Sequence, residues 1–95
     1  MTTKTDFHSI RDLSERYHPA QRRIVSEAEI KLIRDVLEID TRTTIELQNV
    51  RDMTVMLYSN WADAAMENDS KKAMELMDAM SAITCVIDQA LFNRR

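Results

Sequence analysis

The chain of 95 residues contains no glycine, a single proline (Pro19), a single cysteine (Cys85) and few aromatics. Phosphate-cradling loops and tight hairpins rely on glycine because it enters positive φ freely, so P-loop and dinucleotide-fold chemistry is excluded by composition. With no breaker of either kind after Pro19, the sequence is written for helices. A lone cysteine cannot form an internal disulfide. No apolar run approaches the roughly 18 residues of a membrane span, and "MTTKTDFHSI" lacks the order of an export signal, so the expectation is a cytoplasmic protein. The net charge of −3 and pI near 5.3 leave no overall basic excess to draw the molecule onto nucleic acid.

Chemistry-bearing constellations are equally sparse. His8 and His18 sit in the N-terminal segment, and no H-x-x-x-H or C-x-x-C spacing exists, so no metal and no cofactor are expected. Cys85 lies mid-helix beside Thr84, Val86 and Ile87, the usual place of an inert thiol. Paired acids such as Asp35 with Glu38 and Glu75 with Asp78 read as solvated helix faces. No catalytic residue is assigned, and an enzyme is not expected.

What the sequence does contain is helical periodicity. Residues 1–5 read as disordered. A short docking helix is expected over 6–18, with Asp6 as cap, Phe7, Ile10, Leu13 and Tyr17 on one face, and His18-Pro19 as its end. Ser26 with Glu29 makes a capping box opening a helix over 26–39. Thr43 with Glu46 makes a second, opening a helix over 44–67. Across the joint the heptad phase runs on through Ile33, Leu37, Asp40, Thr44 and Leu47, so 26–67 reads either as two helices or as one of about 60 Å. "ENDSKK" is a short polar connector with Asp69 or Ser70 as cap, which makes the last helix, 70–92, antiparallel to its predecessor. The fold expected is an all-α small helical bundle. Leu47, Val50, Leu57 and Trp61, then Leu76, Met77, Met80, Ile83 and Ile87, form its core or dimer seam, and dimerisation completes it.

Met74, Met77 and Met80 recur every three residues. Met77 and Met80 fall in the apolar stripe and are expected in the core, where methionine fills irregular gaps. Met74 falls on a second line with Cys85 and Phe92; Ile45 and Met56 are likewise off the stripe of the preceding helix. Such residues either lie beneath the first helix or form a surface for another protein. In the second case Met56, Met74 and Phe92 are the anchors, and Asp63, Glu67, Asp69, Glu75 and Asp78 steer a basic partner. The function expected is a non-enzymatic protein-binding module, a small homodimeric regulator or inhibitor that occludes a larger protein.

An alternative comes from Ile33 to Leu47, which resembles a degenerate helix-turn-helix. Arg22, Arg23, Arg42 and Arg51 would then touch DNA. Two features depart from that pattern. Glu38 stands where the turn wants glycine, and Glu46, Gln48, Asn49 and Asp52 occupy the recognition helix, where carboxylates repel phosphate.

Overall fold

A computed structural model describes the backbone of residues 2–19 and 25–94, and the side chains of residues 7–19 and 25–94. It contains four α-helices, α1 (Thr2–Arg16), α2 (Glu27–Leu37), α3 (Thr44–Met66) and α4 (Ser70–Asn93), with a 3-10 turn at Ile39–Thr41 between α2 and α3. Among the described residues there is no strand. The all-α bundle is thus the fold.

The starts of α2, α3 and α4 obey their caps. Ser26 Oγ accepts from the Glu29 amide at 3.2 Å, and Glu29 Oε1 accepts from the Ser26 amide at 3.0 Å. Thr43 and Glu46 repeat the exchange at 3.2 and 2.8 Å. Asp69 Oδ1 accepts from the Lys72 amide at 3.1 Å and opens α4. Such caps satisfy amides that the first helical turn leaves without partners. At the N-terminus the chain differs from expectation. α1 already begins at Thr2, so the segment expected to be disordered is helical from there, and Asp6 is inside the helix instead of at its start. Nothing between Thr2 and Asp6 breaks a helix, so the amphipathic stretch that follows propagates backward.

α3 and α4 form the central antiparallel pair. Thr44 at the start of α3 meets Arg94 just past the end of α4, Arg51 meets Asp88, and Ser59 meets Met80. The buried face of α4 is rich in small residues, Ala73, Ala79, Ala82 and Ala90, between Ile83, Val86 and Ile87. Alanine spacing lets α3 approach closely. α3 contributes Leu47, Val50 and Tyr58, and also Thr54, whose buried hydroxyl donates to the Val50 carbonyl at 2.7 Å. α1 packs on α2 and α3, and α2 also touches α4. Ile10, Leu13 and Tyr17 from α1 join Ile33 and Leu37 from α2 in the same core.

The joint between α2 and α3 is broken. Helix α2 stops at Leu37, two residues before the expected end, and Glu38 turns left-handed at φ 53°, ψ 42°. It is the only non-glycine residue at positive φ among those described. Its amide donates to the carbonyls of Arg34 and Asp35, closing the helix end. Three arginines then hold the corner. Arg34 pairs with Asp40, Arg42 Nε donates to the Leu37 carbonyl at 2.6 Å, and Arg94 Nη2 donates to the Ile39 carbonyl at 3.0 Å. These contacts, with burial of Ile39, offset the left-handed cost at Glu38 that the sequence made an objection.

Candidate functional site

The buried line of α4 leaves its opposite face in solvent, and that face is not polar throughout. Met74 is 66% exposed and Phe92 65%. They are five turns apart, about 27 Å, on one azimuth. Cys85 lies between them and is exposed too. With Ser81, Asp88 and Gln89 it borders a shallow open depression that ends at Phe92. α1 lies against α2 and α3 and leaves this line exposed. On the outward face of α3, Met56 is 55% exposed and Ile45 is exposed as well. Met56 is on a different helix from Met74 and Phe92, so the three expected anchors do not form one row.

Met77 requires a correction. Expected in the core, it is 43% exposed. The buried stripe of α4 is centred on Ile83, Ile87 and the alanines, which puts Met77 about 120° away from Ile83. Met80, nearer the centre, is partly buried and packs on the core with Leu57, Trp61 and Leu76. Leu47, Val50, Ile83 and Ile87 are fully buried. Trp61 sets its ring edge-to-face against Tyr58, centroids 5.3 Å apart.

The acids gather around the tip of the α3–α4 hairpin. Asp63, Glu67, Asp69 and Asp78 are exposed and Glu75 is half-buried. Residues 63–78 carry these five acids against Lys71 and Lys72 only. Asp69 is spent partly on the α4 cap. Met66, at the last position of α3, is exposed at the same tip and was not singled out from the sequence. The signal for it was available, since a helix's last residue borders its connector and escapes the stripe. With Met74 and Met77 it makes the tip methionine-rich as well as acidic.

The arginines of the DNA alternative are placed otherwise. Arg22 and Arg23 lie outside the described residues. Arg42 is only 8% exposed and is turned inward to the Leu37 carbonyl. Arg51 forks onto Asp88, which holds the guanidinium pKa above its ordinary value. The outward face of α3 presents Gln48, Asn49 and Asp52 to solvent, with Glu46 half-buried. A bend of the required hand exists, but it spans residues 38–43, longer than the three or four residues of a helix-turn-helix turn.

Glu15 and His18 stand at Glu-x-x-His spacing, but His18 falls beyond the last residue of α1. Among the described residues, no group of three or more histidines, cysteines or acids is placed to hold a metal ion. No described helix is long and apolar enough to cross a membrane. The second depression is a narrow crevice where the end of α1 meets α3 and α4, bordered by Ser14, Tyr17, Tyr58, Lys72 and Glu75. The chain matches no family model, no curated protein and no solved structure.

Proposed function

We propose that the protein is a non-enzymatic protein-binding module, a homodimeric cytoplasmic regulator or inhibitor that acts by covering a surface of a larger protein. The observation that carries this reading is the exposed line from Met74 to Phe92, flanked by Met77 on α4 and by Met66 at the hairpin tip. Methionine is flexible and polarisable and adapts to a partner's relief, and Phe92 supplies a rigid anchor. The tip acids add long-range attraction toward a basic surface and raise the association rate. Met56 and Ile45 form a separate patch on α3.

The test is capture from the native host with tagged protein, run beside the Met74→Glu/Phe92→Glu variant, with sedimentation to fix the mass. Both residues are solvent-exposed, so the variant is expected to fold. A partner retained by the native chain and lost by the variant supports the reading. Equal capture by both, or recovery of the protein alone, defeats it. The alternative, a DNA-binding transcriptional regulator, is favoured by one observation, the left-handed bend at Glu38. The neutralised Arg51 and inward Arg42 weigh against it.

A further inference from the structure

The molecule divides into two layers, α1 on α2 and α3 on α4, joined through residues 38–43. Two facts about that joint oppose each other. Its bend requires a glutamate in the left-handed region and leaves the six residues 38–43 outside either α-helix. Yet its heptad phase is uninterrupted, so a straight helix through the joint would leave Ile33 and Leu37 on the same side as Leu47 and Tyr58. The bent form is maintained by contacts peculiar to the corner: Arg34 on Asp40, Arg42 on the Leu37 carbonyl and Arg94 on the Ile39 carbonyl.

From this balance we infer that the α2–α3 corner is a two-state hinge, and that straightening it exchanges the α1–α2 layer between two copies of the chain. A straight joint carries Ile33 and Leu37 off their own α4. The surface that fits them is the same surface of a second copy, so the core contacts reform between chains. The exchange relieves Glu38 and adds helical hydrogen bonds across the joint, and it gives up the arginine contacts. It supplies a route to the homodimer and rests on that part of the reading above. The protein-binding line from Met74 to Phe92 stays outside the exchanged contacts.

The full chain is tested with Cys85→Ser, Ser14→Cys and Glu75→Cys, since residues 14 and 75 border the same crevice between the layers. The protein is refolded at high concentration, separated by size and treated with a short bismaleimide. The expected result is a dimer fraction whose cross-links join two chains on a denaturing gel, and a monomer fraction linked only within chains. Glu38→Gly, which takes the left-handed bend freely and disfavours a straight helix, should lower the dimer association constant about tenfold per hinge. Thr43→Ala, which removes the cap of α3, should raise it, and Arg94→Ala serves as a second variant of the same sign. A dimer linked only within chains overturns the exchange and leaves the homodimer standing. Monomer alone, in the native chain and in all three hinge variants, overturns both. Neither result bears on capture of a foreign partner.

Discussion

Arg51 and Asp88 close a two-point fork across the α3–α4 pair: Nε donates to Oδ1 at 2.6 Å and Nη2 to Oδ2 at 3.2 Å. Both side chains stand partly in solvent, so the geometry is better than the energy. A double-mutant cycle with Arg51→Ala and Asp88→Ala, read by urea denaturation, should return a coupling below about 1 kcal/mol that shrinks in high salt.

The same fork bears on nucleic acid. A guanidinium neutralised by a carboxylate releases few counterions from DNA. Gel retardation of duplex DNA should be absent at low salt, and Arg51→Ala should change nothing. Retardation that falls steeply with added salt would instead promote the DNA-binding reading.

Arg42 is a different kind of arginine. Its buried Nε satisfies a carbonyl at the end of α2. Arg42→Ala should cost about 1–3 kcal/mol in the denaturation midpoint, because the Leu37 carbonyl loses its donor within the bundle. Arg42→Lys should recover less than half, since an ammonium cannot reproduce the planar donor at that depth. A loss as small as that at Arg51 would show that the corner does not need Arg42.

The corner and the first turn of α3 carry acids with lowered pKa. Asp40 is lowered chiefly by its hydrogen bond with Arg34, and Glu46 chiefly by the Thr43 amide. A carboxyl lowered in the folded state adds stability above its ordinary pKa, near 4, and that stability is lost as pH falls through the lowered value. Acid should therefore loosen the corner before the core. Amide-exchange protection at Thr43, Glu46 and Leu47 should fall below about pH 4 while that at Ile83–Ile87 persists. Simultaneous loss at both places would contradict it.

How much of this was legible in the sequence follows from what each feature depends on. The caps at Ser26, Thr43 and Asp69 are local, a side chain meeting an amide three residues on, and they could be read directly. Whether the joint breaks stayed open, because the threonines and the Thr43 cap favoured a break while the heptad phase favoured a straight helix, and the left-handed turn at Glu38 could not be foreseen. What bends it is partly remote: Arg94, at the far end of the chain, donates to Ile39. Met77 was misplaced for a related reason. Its stripe was drawn through the large residues, whereas the centre of the buried face is set by alanines, which carry little weight in an apolar pattern. That Met74 and Phe92 lie off the apolar stripe was readable from azimuth; that α1 would leave them exposed depended on tertiary packing.

Tyr17 and Tyr58 make the last contrast. Both are buried, and burial is the first cause raising each phenol's pKa; at Tyr17 a hydrogen bond to Glu29 adds to it. Tyr58 Oη meets no hydrogen-bond partner among the described residues. Deleting one hydroxyl removes a group that interacts with Glu29, and deleting the other removes a buried group without a hydrogen-bond partner. Tyr17→Phe should cost about 0.5–1.5 kcal/mol at neutral pH, whereas Tyr58→Phe should be neutral or stabilising by up to about 1 kcal/mol. A phenol raised in the folded state supports folding below its ordinary pKa, near 10, and that support is lost as pH rises toward the raised value. Either substitution should therefore flatten the fall in melting temperature above about pH 10. A Tyr58→Phe chain that melts well below the native one at pH 7 would show that this hydroxyl has a partner after all.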